Sequence, residues 1–234
     1  MNMPSQLNFE SITDQVRELL QREIEAGKLT PGTRIREDVF AKELGISKSP
    51  LRFALYQLKQ DGIIRIEPRR GFYVAVPSPN EMMQLLEMRE VLEGLAARRA
   101  ASHADARMVR RLEECFRPFT DENLDERRLE FANADHRFHR LLVEASESYE
   151  LIRTLEVINI RLHMNRLRAR LSRHRDLTQV HQEHLAIINA IRLGDAHRAE
   201  TLASAHVAGV PWRLVIEEDA AAAAKGAPSN EAMP

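Results

Sequence analysis

Cysteine is nearly absent: Cys115 is the only one in 234 residues. An internal disulfide is therefore impossible, and a reducing cytoplasm is the expected setting. No apolar run approaches the roughly 18 residues of a membrane span. The opening M-N-M-P-S-Q lacks the charged and apolar regions of a signal peptide. Aromatic residues are scarce at 5%, and a chain rich in Leu, Ala, Arg and Glu favours helices. The second half has no glycine-rich phosphate loop, and no H-E-x-x-H motif occurs that would suggest a metallohydrolase. Net charge is also almost missing, at −1, but the balance is uneven. Residues 1–76 hold 12 basic and 10 acidic residues, so the basic excess lies at the front.

The most informative stretch is Leu44–Val76, with six Lys/Arg against two Asp/Glu. Gly45 permits the positive φ of a sharp helix stop. Ser47 or Ser49 can cap the next helix, and Pro50 suits its first position. Leu51, Leu55 and Leu58 then share one face, while Lys48, Arg52 and Lys59 share the other. Gly62 ends the helix. Ile64–Ile66 and Phe72–Val74 read as a two-stranded hairpin tipped by Pro68, Arg69, Arg70 and Gly71. A helix opening on Ser47, Lys48, Ser49 and Arg52 suits the DNA major groove. Its free N–H groups attract phosphate and its side chains reach base edges. The basic hairpin suits the adjacent minor groove or backbone.

Upstream, residues 9–26 form a first helix carrying Ile12, Val16, Leu19, Leu20 and Ile24. Residues 37–44 form a short helix with Val39, Phe40 and Leu44 inward. Pro77-Ser78-Pro79 is a linker. Six helical segments follow, at roughly 79–102, 105–119, 122–146, 149–171, 177–193 and 195–217. Leu85, Met88, Leu92 and Leu95 line the first, and Leu185, Ile188 and Ile191 the fifth. Such segments pack as an antiparallel bundle. The fold class is thus mostly α. A winged helix-turn-helix occupies 1–76, a linker 77–79, an all-helical domain 80–218 and a frayed tail 219–234.

Within the second half, Asp135 and His139 lie four apart on one helix face flanked by Phe131, Phe138 and Leu142. His184 and His206 lie on apolar faces of the last two helices. Three imidazoles and a carboxylate make a first shell for Zn²⁺, or for Ni²⁺ or Mn²⁺. The same pattern also arises from a simple Asp–His helix pair and two core histidines. His181, one turn before His184, is a neighbour or a competing ligand, whereas His136 and His197 read as solvent-facing. Arg89 shares a face with Leu85, Leu92 and Ala96, so it needs an anion, either an internal acid or a bound carboxylate. Asn165 is a weaker candidate of the same kind.

Taken together, the motifs resemble the GntR family of bacterial transcription regulators, in the FadR-type branch with an FCD helical bundle. The resemblance rests on L-T-P-G-T-R-I-R-E at 29–37, L-G-I-S-K-S-P-L-R-F-A-L at 44–55, L-K-Q-D-G-I-I at 58–64 and R-R-G-F-Y-V at 69–74. In the second half it rests on E-M-R-E-V-L-E-G-L-A-A at 87–97, D-H-R-F-H at 135–139, H-L-A-I-I-N-A-I-R-L-G-D at 184–195 and H-V at 206–207. It implies a homodimer on an operator of two-fold symmetry. DNA contacts then fall on Ser47, Lys48, Ser49, Arg52 and Gly71, with Arg36 in addition. Metal ligands fall on Asp135, His139, His184 and His206, and the effector is a small organic or sugar acid. The chain departs from the family pattern in three places: Lys48 where Arg is common, Asp38-Val39 where some relatives carry an arginine, and Ser146-Glu147-Ser148 where Asn is frequent. Six helices suit the shorter, VanR-like bundle. The implied function is a non-enzymatic regulator, most simply a repressor.

Overall fold

The computed structural model describes residues 11–163 and 176–209. The chain divides into two compact units, Met1–Pro77 with Asn159–Asn165, and Ser78–Ile158 with Arg166–Pro234. Among the described residues, no helix is long and apolar enough to cross a membrane.

In the first unit, α1 (Ile12–Glu25) starts at Ser11, whose hydroxyl accepts a hydrogen bond from the Asp14 backbone N–H at 3.2 Å. The two-residue strand β1 (Arg34–Ile35), α2 (Glu37–Glu43) and α3 (Lys48–Gln60) follow. The α2–α3 turn works as its residues dictate. Gly45 has φ +65°, and the Ile46 and Gly45 N–H groups return to the Ala41 and Lys42 carbonyls, which closes α2 tightly. Ser47 sits at the start of α3 without a capping bond from its side chain. Pro50 is the third helical residue rather than the first. That position costs nothing, because the first four N–H groups of a helix have no partner within it.

The sequence suggests a two-stranded hairpin, β2 (Ile64–Glu67) with β3 (Gly71–Val74), but the sheet has three antiparallel strands in the order β1-β3-β2. The added strand pairs Arg34 with Tyr73 and Ile35 with Phe72. Two residues are too few to show an alternating pattern, so β1 is visible only once Ile35 is seen buried in the core. That core contains Leu20, Leu51, Ala54, Leu55, Leu58 and Ile63, each at most 1% exposed. Ile12 and Val39, expected inward, are exposed instead, and Ala41 is the residue α2 buries.

The second unit contains α4 (Pro79–Ser102), α5 (Ala106–Phe116), α6 (Arg128–Glu144) and the start of α7 (Tyr149–His163), then α8 (Leu177–Arg192) and α9 (Ala196–Ala208). Ser78 and Glu81 form a reciprocal capping box at α4. Asp105, Asp176 and Asp195 cap α5, α8 and α9. Two expected boundaries shift. The segment read as 105–119 ends as helix at Phe116: Arg117 keeps helical angles, but Pro118 has no N–H to continue the ladder. The segment read from 122 becomes helical only at Arg128. Before that, Asn123 accepts from the Thr120 N–H and donates to the Pro118 carbonyl, so local side-chain bonds replace helical ones.

Gly94 on α4 marks a close approach to α9. A Cβ there would lie 2.2 Å from Ser204 Oγ on α9, and Ser204 donates to the Glu90 carbonyl. The apolar core packs Leu112, Phe116, Phe138, Leu142, Ile187, Ile188 and Ile191. Met88 and Leu185, expected inward, are exposed. The inward stripe of α4 runs instead through Met82, Leu85, Arg89, Glu93, Ala96 and Ala100.

Candidate metal centre and DNA-reading face

Aspartate and histidine four apart on α6 project from one face, as the helical period requires. The packing of α8 and α9 brings His184 and His206 to the same place. The ligand atoms of Asp135, His139, His184 and His206 all lie within 4.8 Å of one another. His139 Nε2 is 3.3 Å from His206 Nε2, and His184 Nε2 is 3.2 Å from Asp135 Oδ1. Donors about 2.0–2.1 Å from one tetrahedral zinc ion stand roughly 3.3 Å apart, so these spacings fit a shared ion. The three histidines are at most 4% exposed.

Chemistry agrees with spacing. Burial lowers His184 to a pKa of about 3, with the neighbouring imidazoles adding to that and Asp135 opposing it. The ring is therefore neutral, with a lone pair to offer. It is stacked on Phe116 at 4.4 Å, and its Nδ1 has no hydrogen-bond partner among the described residues. Burial alone would raise the Asp135 carboxyl, but His139 and His184 hold it well below the usual range. Burial disfavours a charge on His139, yet Glu93 and Asp135 raise its pKa against that penalty and against Arg89.

Two acids absent from the sequence reading complete the cluster. Glu93 is fully buried and receives His139 Nδ1 at 2.6 Å and Arg89 Nε at 2.5 Å. Burial opposes its charge, but Arg89 and His139 hold its pKa at about 2. Glu183 receives His206 Nδ1 at 2.8 Å. The only early sign of Glu93 is its i, i+4 spacing from Arg89, and nothing in the sequence ties Glu183 to His206. With neutral imidazoles, Asp135, Glu93 and Glu183 against Arg89 leave a charge of −2, which one divalent cation cancels. Of the remaining candidates, His181 is buried 3.5 Å from Asp121 Oδ1, outside the four-residue group. His197 is exposed, but His136 is half-buried rather than solvent-facing. Asn165 lies outside the described residues.

On the first unit, α3 presents Ser47, Lys48, Ser49, Arg52 and Lys59 to solvent. The two cations nearest its start are already paired: Lys48 with Asp38, and Arg52 with Glu37 through both Nε and Nη2. The Lys48 pairing lowers the pKa of Asp38, and the Glu37 pairing raises that of Arg52. Arg36 is exposed at the start of α2. At the wing tip Arg69 has φ +62° and Gly71 φ +99°, and Arg70 reaches back to Glu67 at 3.3 Å. Exposed Phe53 and Tyr56 on α3, 63% and 51% accessible, add apolar surface beside these cations.

Residues 12–74 match the family described as "Bacterial regulatory proteins, gntR family", and residues 84–209 match the FCD domain. A "Probable D-xylose utilization operon transcriptional repressor" of Paenarthrobacter nicotinovorans is 30% identical over 200 residues, 85% of this chain and 86% of that protein. The "HTH-type transcriptional repressor RspR" of Escherichia coli (strain K12) is 27% identical over 217 residues, 88% of this chain and 91% of that one. Among solved structures, E. coli McbR/YncC shares the fold with a TM-score of 0.66 at 18% identity, covering 93% of this chain and 99% of that one. A GntR regulator from Rhodococcus sp. RHA1 gives 0.63 at 23%, with the same coverage. The chain therefore belongs to the GntR family of DNA-binding transcriptional regulators, in the FadR-like branch that joins a helix-turn-helix to an FCD bundle.

Proposed function

We propose that the chain is a cytoplasmic repressor that binds a two-fold-symmetric operator as a homodimer and releases it in response to a small organic or sugar acid. One observation carries the proposal: the ligand atoms of Asp135, His139, His184 and His206 converge within 4.8 Å of one another, in a chain that also carries a DNA-reading head. These four hold a divalent ion, Zn²⁺ before Ni²⁺ or Mn²⁺. An ion with four protein donors that accepts five or six retains affinity for a carboxylate. Arg89 serves that carboxylate. Its side chain is 15% exposed, and Glu93 engages its Nε. Asn165 takes the same role from its place in the sequence.

On DNA, Ser47, Lys48, Ser49 and Arg52 enter the major groove, while Arg36, Arg69, Arg70 and Gly71 meet the backbone and minor groove. Lys48 contributes a point charge where arginine would grip guanine through two bonds, which shifts operator preference. Relatives named as repressors support the direction of regulation. To act, the acid must bind one conformation better than the other, and a tenfold preference is worth about 1.4 kcal/mol.

A gel-shift titration with promoter fragments, repeated across a panel of organic and sugar acids, tests the proposal. The expected result is a retarded complex that one class of acid dissolves. A complex indifferent to every acid and to metal removal would leave a DNA-binding protein without the proposed control.

A further inference from the structure

We propose that Glu93 and Glu183 are positioning residues for the metal centre. On this reading they are carboxylates outside the donor set that hold His139 and His206 in a single tautomer, with Nε2 turned toward one shared point. The inference rests on the metal reading above and goes beyond it by assigning work to two residues that are not ligands.

The geometry supplies the argument. Glu93 on α4 receives His139 of α6, and Glu183 on α8 receives His206 of α9, each through Nδ1, at 2.6 and 2.8 Å. A neutral imidazole has one N–H. Once Nδ1–H is committed to a carboxylate, Nε2 carries only a lone pair. The two Nε2 atoms face each other at 3.3 Å. Two lone pairs at that distance repel, so the arrangement calls for a cation between them, either a proton or a metal ion. The carboxylates thus do two things at once. They aim the lone pairs and they make the rings better donors.

The third imidazole shows the contrast. Among the described residues no carboxylate meets His184 Nδ1, and packing against Phe116 and Phe138 sets its ring instead. Neither acid stands free. Arg89 holds the other oxygen of Glu93, and Gln179 donates to the other oxygen of Glu183 at 2.9 Å. Each carboxylate is therefore oriented before any ion arrives. Glu183 lies next to the donor His184 in sequence yet serves His206 on the neighbouring helix, so it locks α8 to α9 across the site.

The test is a Co²⁺ titration of chelator-treated full-length protein, followed by its visible absorption. Glu183→Gln keeps shape and all four donors, and side-chain exposure of 29% for Glu183 against 1% for Glu93 makes it the gentler variant. Co²⁺ affinity is expected to fall about 10–100-fold, with the saturated spectrum unchanged and part of the affinity recovered in Glu183→Asp. Glu93→Gln should lose at least as much. Should it fail to fold, because Arg89 is left without its partner, Glu183→Gln decides alone. Affinity within about twofold of the parent in Glu183→Gln, while His184→Ala abolishes binding, overturns the inference and leaves the metal reading standing. A changed spectrum at saturation also overturns it, since the acid would then be a ligand. A parent chain that takes up no Co²⁺ ends both.

Discussion

The two units handle charge in opposite ways. On α3 and the wing, Lys48, Arg52, Arg69 and Arg70 are exposed, and the acids paired with Lys48, Arg52 and Arg70 lie at the surface or are only partly covered. In the bundle, His184 and Glu93 are 0% exposed, and Glu93 is held by both His139 and Arg89 within hydrogen-bond distance. Surface ion pairs are weak and exchangeable, which suits a face whose partner, the DNA phosphate, must replace them. A buried group costs several kcal/mol unless its partner is fixed, which suits a shell that must stay organised. The head is built for exchange and the bundle for permanence.

The largest effect expected from this contrast is on the metal. His184→Ala removes one of four protein donors and should weaken metal binding by more than about a hundredfold, beyond what outer carboxylates contribute. Operator binding without effector should persist. Metal analysis beside a gel shift checks both, and unaltered metal stoichiometry would remove His184 from the shell. The mirror experiment is Arg52→Ala. Loss of a base-reading arginine costs about 1–3 kcal/mol, so operator affinity should fall roughly tenfold to a hundredfold while metal content is unchanged. Equal affinity would break the assignment of α3 as the reading helix.

Smaller, and specific to the bundle, is the response to pH. His139 titrates above the ordinary histidine range, so below that point an incoming cation must displace its proton. Metal affinity should drop about tenfold for each pH unit lost there and level off above it. Without metal the signs divide. His184 stays neutral down to about pH 3, so stability falls as pH drops below its unfolded value near 6.5. Glu93 and Asp135, both held low, lose their contribution as pH falls through and below the ordinary carboxylate range. His139 opposes this trend, because its contribution is complete below about 6.5 and disappears as pH rises through its folded pKa. The net expectation is an apo bundle that melts several degrees lower at pH 4.5 than at pH 7, read by circular dichroism.

The smallest effect tests exchange on the head. Asp38 competes with phosphate for Lys48. Asp38→Asn should therefore tighten DNA binding about two- to fivefold and steepen its salt dependence. No change would mean that the pair contributes nothing in solution.

How much of this was legible beforehand depended on length scale. Leu51, Leu55 and Leu58 repeat at helical spacing, and their burial follows from that period. Gly45 and Gly62 announce helix ends because few other residues take φ near +70°. Strand β1 was not legible, since it is two residues held by pairing with Phe72 and Tyr73, far along the chain. Periodicity also misled on α4. It places Met88 inward with the leucines and, although it sets Arg89 on the face of Leu85, Leu92 and Ala96, it gives no sign that Glu93 is fully buried there. A buried ion pair looks like surface in a hydropathy pattern, and only the partner across the core, His139, explains it.

The sequence by itself determined which segments are helical, where most of them begin, and that Asp135, His139, His184 and His206 sit on inward helix faces. These are matters of local torsion, capping and period, and each is settled within a turn or two of chain. Tertiary structure alone decided that α6, α8 and α9 bring four donors within 4.8 Å, and that Glu93 and Glu183 stand behind two of them. Those outcomes come from helix packing, where residues separated by 46 or 67 positions meet. No local rule links residues so far apart in the chain.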